Sequence, residues 1–281
     1  MTQEKAKTHA RTMEQRYEHY VIEKELADKL RAASREERRS LYSSVYDELY
    51  QRVPHHTQLT RKSSPEESQA DVAVQITTLQ PFLNKDTVYL EVGPGDCALS
   101  LEVAKYVKQV YAVDVSNEIT KNLASPPNFK LVLSDGSSIP VSGNTVDVAY
   151  SNQLMEHIHP DDAFEQLQNI YAALAPGGVY ICITPNRLNG PHDISRYFDT
   201  EASGFHLKEY TVSELNDLFK KVGFSKTMVN IGTMGKYINM PISLSVFSEK
   251  FLMMLPHRIR QFIANHLPLR KLLGIRLVGT K

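Results

Sequence analysis

Short apolar runs alternate with amphipathic helical stretches from residue 88 onward. The runs are VYLEV, VYAVDV, FKLVL, TVDVAYS and GVYICIT, and helical patterns cover Ala98 to Val107, Asn117 to Leu123 and Asp162 to Leu174. β-Branched runs of this length predict strands, and strands separated by helices predict parallel pairing with helices on both faces of the sheet. The pattern therefore predicts a doubly wound α/β domain.

The last third of the chain continues this pattern and then departs from it. Thr211 and Glu214 form a capping box that predicts a helix over Thr211 to Val222, and the run FSKTMVNIG predicts a strand after it. An apolar and basic segment at about 236–271 interrupts the alternation. The closing run LLGIRLVGT predicts one last strand, so segment 236–271 is predicted to be a helical insertion before it.

Residues 1–62 are rich in charge, but they carry a helical stripe of large apolar residues. Ser34 and Glu37 form a capping box ahead of it. The stripe consists of Tyr42, Val45, Tyr46, Leu49 and Tyr50. It predicts a helical N-terminal extension, whose tyrosines either pack on the core or line a ligand site. A polar linker follows, and Ser64 with Pro65 predicts the start of the next helix, so the main domain is predicted to span 63–281.

Composition removes several classes of protein. The 281 residues contain 32 Lys and Arg against 32 Asp and Glu, so no overall charge favours nucleic acid or an anionic membrane. The two cysteines are too few for a disulfide framework and have no metal-type spacing. The N-terminus lacks an apolar signal region, and the longest charge-free stretch is broken by Pro-Gly-Gly. We therefore expect a soluble cytoplasmic protein without a metal site.

The stretch VYLEVGPGDCALS predicts a strand, a tight glycine turn and a helix. The spacing Gly93-x-Gly95-x-x-Ala98, with Asp114 some twenty residues on, fits a dinucleotide fingerprint, so an NAD-dependent oxidoreductase is one alternative. Glu91 argues against it, because a carboxylate beside the turn would repel a pyrophosphate. A cationic ligand without phosphate, such as S-adenosylmethionine, suits this position better.

A further carboxylate follows the third predicted strand. The run LVLSDGS places Asp135 and Gly136 at its end, where a carboxylate and backbone N–H groups are suited to an adenine edge. Carboxylates therefore stand at the ends of three strands, at Glu91, Asp114 and Asp135.

The ordered motifs from about Val88 to Asn186 resemble those of class I S-adenosylmethionine-dependent methyltransferases, especially the small-molecule branch that includes the ubiquinone-biosynthesis type. They are EVGPG, Asp114, the Asp-Gly pair at 135–136, VDVAYSNQLMEHI and LAPGGVYICITPN. The resemblance implies a seven-stranded, mostly parallel sheet in the order 3-2-1-4-5-7-6, with the last strand antiparallel. One departure is Cys97, which stands where many members of the family have a third glycine.

The resemblance also implies roles for individual residues. Glu91, Gly93 and Gly95 would surround the methionine part of S-adenosylmethionine, and Asn152 would lie beside its amino-acid group. Asp114 would hold the ribose hydroxyls, and Asp135 with Gly136 would hold the adenine edge.

Methyl transfer to a hydroxyl usually needs a base to remove a proton, and histidine is suited to this near neutral pH. The candidates are His157 in LMEHIHPDD, His192 in NGPHDISRYFD and His206 in GFHLKEY. The last two lie in a long, charged segment after the fifth predicted strand, where functional loops are common. A hydrogen-bonded structural role is the alternative for each.

The acceptor is less sharply indicated. The sequence after the fourth predicted strand reads SNQLM, without the Asn-Pro-Pro motif typical of enzymes that methylate nucleobase amino groups, so we expect no nucleic-acid substrate. The Met and Phe residues of the insertion suit a lipophilic or bulky acceptor. We expect a small-molecule, lipid-linked or glycan-linked acceptor, with oxygen favoured over nitrogen or carbon. Peripheral membrane contact is the alternative to simple packing of this insertion. A non-catalytic methyltransferase-like module that binds cofactor or a protein partner is the remaining alternative function.

Overall fold

The computed structural model describes residues 11–56, 65–116, 124–233, 236–266 and 273–281. The predicted N-cap at Ser64, the predicted helix Asn117 to Leu123 and the end of the predicted insertion lie outside these residues. Among the described helices, none combines the length and the apolar character needed to cross a membrane.

A single mixed sheet forms the centre of the domain. Its strands are β1 (Val88–Val92), β2 (Gln109–Asp114), β3 (Phe129–Leu133), β4 (Val146–Asn152), β5 (Leu174–Thr184), β6 (Lys226–Thr233), β7 (Lys236–Pro241) and β8 (Ile275–Thr280). They lie in the order β3-β2-β1-β4-β5-β8-β6-β7. The first five pair in parallel, and β8 pairs antiparallel with both β5 and β6. The predicted doubly wound fold and strand order are confirmed.

One strand more than the predicted seven is present. β7 forms a hairpin with β6 and extends that edge of the sheet, with Ile231 opposite Ile238. The insertion that was predicted to be helical therefore begins as a strand. Its first six residues find backbone partners on the free edge of β6, which the local sequence pattern does not reveal.

Helices cover both faces of the sheet and form the N-terminal extension. They are α1 (Met13–Ala32), α2 (Arg35–Arg52), α3 (Pro65–Leu79), α4 (Ala98–Val103), α5 (Pro160–Ala173), α6 (Val212–Val222), α7 (Ile242–Met253) and α8 (His257–Asn265). The capping boxes predicted at Ser34 and Thr211 are present, and a third at Thr12 begins α1. These side chains satisfy the free N–H groups of the first helical turn.

The extension packs into the same core as the sheet. Leu26, Leu30 and Leu49 are buried in the cluster that also contains β1 and β4 residues. Arg38 donates to both carboxylate oxygens of Asp162 on α5, at 2.6 and 2.7 Å. The N-terminal extension therefore shares one hydrophobic core with the central sheet.

Two further contacts tie the extension to the loop after β5. Glu23 Oε1 accepts a 2.9 Å hydrogen bond from the backbone N–H of Phe205. The ring of Tyr46 lies 4.8 Å from the ring of Phe205, measured between centroids. The segment that carries two of the candidate histidines is thus held by the first two helices.

Candidate active site

A cavity of about 280 Å³ opens at the glycine turn, at the carboxyl ends of β1 and β4. Its lining residues are Ser68, Asp71, Val72, Gln75, Glu91, Gly93, Pro94, Gly95, Asp96, Ala98, Leu99 and Asn152. Four of the seven predicted cofactor residues, Glu91, Gly93, Gly95 and Asn152, therefore meet in one place. This is the edge where open α/β sheets bind ligands.

The turn needs residues that tolerate positive φ. Gly93 and Gly95 have φ of 71° and 57°, and Cys97 has φ of 61°. A Cβ on Gly93 would lie 3.0 Å from Leu154 Cδ1, whereas a Cβ on Gly95 would meet no atom within 4 Å. Cys97 thus occupies the left-handed conformation that glycine adopts at no steric cost, which accounts for a glycine at this position in similar sequences.

The cavity is acidic. Asp71, Glu91 and Asp96 contribute three carboxyl groups to its wall, and no Lys or Arg is among the lining residues. Such a wall favours a ligand with positive charge and opposes a pyrophosphate.

Glu91 is buried, and one of its oxygens accepts a hydrogen bond from Ser100 on α4. Burial raises the pKa of Glu91 to about 8, with the Ser100 bond opposing the shift and the charges of Asp96 and Asp114 adding to it. In the ligand-free protein Glu91 is therefore largely neutral at pH 7. The sequence predicts a charged carboxylate here, and Glu91 takes that form above this pKa or beside a cation.

Helix α3 supplies a wall of the cavity that the sequence does not predict. Gln75 accepts hydrogen bonds from the Tyr150 hydroxyl at 2.9 Å and from Asn152 Nδ2 at 3.2 Å. Asp71 lies one turn earlier on the same helix. No motif marks these positions, because they reach the cavity only through the packing of α3 on the sheet.

The other three predicted cofactor residues lie at the ends of β2 and β3 but do not line this cavity. Asp114 Oδ1 accepts from the backbone N–H groups of Val115 at 2.7 Å and Ser116 at 3.2 Å. Burial raises the pKa of Asp114, and backbone hydrogen bonds from Ser116, Val115 and Gly95 oppose that shift. Asp114 therefore also braces the glycine turn.

Asp135 and Gly136 contact the N-terminal extension. Asp135 accepts from the backbone N–H of Ser138 at 2.8 Å, and its other carboxylate oxygen pairs with Arg39 at 3.2 Å. A Cβ on Gly136 would come within 2.8 Å of the Tyr42 ring, so only glycine fits beneath that ring. Tyr42 therefore packs as a core residue and at the same time borders a predicted cofactor position.

Two of the three candidate histidines lie together. His157 follows β4 in a short 3₁₀ turn, and its ring centroid lies 4.8 Å from that of His206. His157 Nδ1 bonds the carbonyl oxygen of Phe205 at 3.1 Å, and burial lowers the pKa of His157 to about 3. His157 is therefore neutral at pH 7 and a weak proton acceptor.

His206 has the opposite character. Its Nδ1 bonds Glu209 Oε1 at 2.7 Å. Burial works to lower the pKa of His206, but this bond and the charges of Glu156, Glu209 and Asp193 outweigh it, so the pKa is raised. One side-chain nitrogen or oxygen from each of Glu156, His157 and His206 lies within 4.8 Å of the other two. The sequence spacing does not show this clustering.

His192 does not belong to this pair, although His192 and His206 both contact Glu209. Its backbone N–H donates to Glu209 Oε1 at 2.7 Å, and its Nε2 lies 3.2 Å from the Asn186 carbonyl oxygen and 3.1 Å from Asn189 Oδ1. Burial lowers the pKa of His192. These contacts give His192 a role in holding the loop.

Comparisons with known proteins agree with this geometry. A family model described as a methyltransferase domain matches residues 64–229. A candidate S-adenosylmethionine-dependent methyltransferase of Mycolicibacterium smegmatis is 27% identical over 136 residues, which cover 48% of this chain and 51% of that protein. The chain thus spans about half the length of this curated relative.

Two solved structures share the fold. Phosphoethanolamine N-methyltransferase 1 of Haemonchus contortus, in complex with phosphoethanolamine and S-adenosylhomocysteine, has a TM-score of 0.54 and 14% identity, covering 88% of this chain and 50% of that one. A candidate O-methyltransferase of Nostoc punctiforme has a TM-score of 0.50 and 17% identity, covering 82% of this chain and 61% of that one. At these identities the likeness concerns the fold alone.

Proposed function

Because the chain belongs to the methyltransferase-domain family, whose model matches more than half of its residues, we propose that it transfers a methyl group from S-adenosylmethionine to a hydroxyl oxygen. The acceptor is a small molecule or a lipid-linked or glycan-linked compound. The motif order between Val88 and Asn186 supports a place in the small-molecule branch.

The acidic cavity at the glycine turn is the observation that carries this proposal. S-Adenosylmethionine carries a sulfonium and an ammonium group and no phosphate, so three carboxyl groups and no cationic side chain suit it. A nicotinamide dinucleotide brings two phosphate charges to the same turn. The oxidoreductase alternative therefore loses support from the structure as well as from the sequence.

The residues present fit the cofactor in the following way. Glu91, Gly93, Gly95 and Asn152 would hold its methionine end, because these four line the cavity. Asp114 would accept from the ribose hydroxyls.

Asp135 and Gly136 would border the adenine edge. Asp135 offers the oxygen that Arg39 now shares, so the ring and the guanidinium would compete for it. The bound cofactor supplies a methyl group already activated by a sulfonium centre.

The protein's own contribution is positioning and proton removal. An acceptor oxygen needs to be held close to the methyl carbon, and well-oriented reactants account for a large share of such rate enhancements. Of the three candidate bases, His206 has the raised pKa and a carboxylate partner, Glu209, on its other nitrogen. We assign it the role of general base, since a base works best when its pKa lies near the working pH.

Calorimetric titration with S-adenosylhomocysteine and, in parallel, with NAD tests the cofactor assignment. We expect micromolar binding of S-adenosylhomocysteine and no heat with NAD. Binding of NAD alone would overturn the assignment.

Transfer of labelled methyl groups from S-adenosylmethionine to a cell extract tests the reaction, and mass spectrometry of the product identifies the methylated atom. We expect transfer to fall at least about a hundredfold in His206→Gln, because a general base contributes roughly 10²–10⁴-fold. Cofactor binding without transfer to any fraction would favour the non-catalytic module, and methylation at nitrogen would refute the hydroxyl assignment.

A further inference from the structure

Helix α7 exposes a continuous apolar stripe. Leu244, Phe247, Phe251 and Met254 lie at positions i, i+3, i+7 and i+10, and 52%, 70%, 56% and 84% of their surface is exposed. This spacing places the four side chains on one helical face. On α8, Phe262 is 65% exposed and continues the apolar surface.

The opposite face of α7 is buried and carries polar residues beside Leu252. Ser245, Glu249 and Leu252 are 5%, 0% and 1% exposed. Glu249 accepts hydrogen bonds from the backbone N–H groups of Val212 at 2.6 Å and Ser213 at 3.0 Å, and from Asn186 Nδ2 at 2.9 Å. The carboxylate thereby caps the N-terminus of α6, where negative charge is favoured.

A surface helix usually buries its apolar face, but Leu244, Phe247 and Phe251 of α7 stay exposed. Rotating α7 to hide the stripe would break three hydrogen bonds to a buried carboxylate, and such groups are costly to leave unpaired. The outward setting of Phe247 and Phe251 is thus fixed by Glu249.

Helix α8 is held in place beside it. Ala264 is buried in a small cluster with Leu188 and Leu252, and the side chain of Gln261 donates to the carbonyl oxygen of Gly190. Leu188 and Gly190 belong to the loop that follows β5, on the same side of the sheet as the candidate active site. The helices that form the exposed surface therefore pack against the loop that also carries His192 and His206.

The exposed Lys, Arg, Asp and Glu residues of α7 and α8 all have one sign. Between residues 242 and 266, Lys250 and Arg258 are exposed and Arg260 is partly exposed. The single carboxylate of this range is Glu249, which is fully buried. The surface is thus apolar at its centre and cationic at its rim.

We propose that α7 and α8 dock this protein on an anionic lipid bilayer. Aromatic and aliphatic side chains flanked by Lys and Arg are the composition of interfacial helices, which insert their apolar face at the headgroup boundary. Basic residues near an anionic leaflet add attraction that falls off within a Debye length. A second copy of the chain fits less well, because face-to-face contact would bring the two cationic rims together.

Vesicle sedimentation of the full chain tests this proposal without cofactor or acceptor, so its outcome does not depend on the proposed reaction. The probe is phosphatidylcholine vesicles with about 30% phosphatidylglycerol, and vesicles of phosphatidylcholine alone serve as reference. We expect the partition coefficient to be at least about tenfold higher on the anionic vesicles and to fall with added salt.

The test variant is Phe247→Ser combined with Phe251→Ser, and the control is Met13→Ser combined with Tyr106→Ser. Met13 and Tyr106 are also exposed, at 57% and 44%, but lie on α1 and beside α4. We expect at least about a tenfold loss of anionic-vesicle binding in the first pair and none in the second. Titration with S-adenosylhomocysteine confirms folding, since these residues lie outside the cofactor cavity.

Equal vesicle binding by wild type and Phe247→Ser/Phe251→Ser protein would overturn the proposal. Light scattering after size-exclusion chromatography tests whether a second copy of the chain covers this surface. That occupant would be assigned if the wild type were a dimer, if Phe247→Ser/Phe251→Ser converted it to a monomer, and if neither protein bound vesicles.

Discussion

Entry of a cationic ligand into the cavity should drive a proton off Glu91. Burial raises the pKa of this carboxyl group from 4.5 to about 8, so about 0.9 of the molecules carry the proton at pH 7 and about 0.2 at pH 8.5. A sulfonium or ammonium group in the same cavity favours the charged form and lowers that pKa. Binding of S-adenosylmethionine should therefore release close to one proton at pH 7 and about 0.2 at pH 8.5.

Calorimetry in two buffers with different ionisation enthalpies measures this release. In Glu91→Gln the proton release at pH 7 should disappear, and affinity at pH 8.5 should fall roughly tenfold or more, as for loss of a charged hydrogen-bond partner. Glu102→Gln is the matched control, because Glu102 lies on α4, the helix that also carries Ser100, but pairs with Lys105 and does not line the cavity. Release of a full proton by Glu91→Gln, or tight binding by wild type with no release, would refute the reasoning.

The same pKa sets the sign of a stability effect in the ligand-free protein. A folded pKa above the ordinary value means that the contribution of Glu91 to the free energy of unfolding is fully present below about pH 4.5 and is lost as pH rises through about 8. Wild type should lose more thermal stability than Glu91→Gln between pH 6 and pH 9.

Three further outcomes follow from named contacts. Asp114→Ala should weaken S-adenosylhomocysteine binding at least about tenfold, whereas Asp114→Asn keeps the backbone bonds and should lose less; calorimetry decides, and wild-type affinity in the alanine variant would contradict the assignment. Glu209→Gln should move the acid limb of the methyl-transfer profile to lower pH, because Glu209 helps to raise the pKa of His206; an unmoved limb would exclude His206 as the base. Arg38→Met should cost about 3–5 kcal/mol in urea unfolding by stranding the buried Asp162, and a loss below about 1 kcal/mol would contradict this.

The features that could be predicted from the sequence are those encoded locally. Alternating β-branched and helical runs predict a parallel sheet covered by helices on both faces, and the resemblance to the methyltransferase family implied its strand order. The capping boxes at Ser34 and Thr211 need only four consecutive residues each. Gly93 and Gly95 predict the tight turn, because few other residues tolerate its positive φ angles.

The features that could not be predicted depend on distant packing. Gln75 and Asp71 reach the cavity because α3 docks across β4, and the pairing of β7 with β6 needs a free sheet edge. Glu249 looks like a solvent-facing residue in sequence, yet it is fully buried against α6. Burial also removes most of the expected negative charge of Glu91 at pH 7, which the sequence does not show.

The shared core of extension and sheet has a consequence for synthesis. Arg38 and Glu23 are synthesised before their partners Asp162 and Phe205, which lie 124 and 182 residues further along the chain. At roughly 5–20 residues per second, the apolar face of α1 waits roughly 10 to 40 seconds for the loop that covers it. During that interval the apolar side of α1, which includes Leu26 and Leu30, lacks its covering partners, so the yield in a cell should depend on chaperones that shelter it.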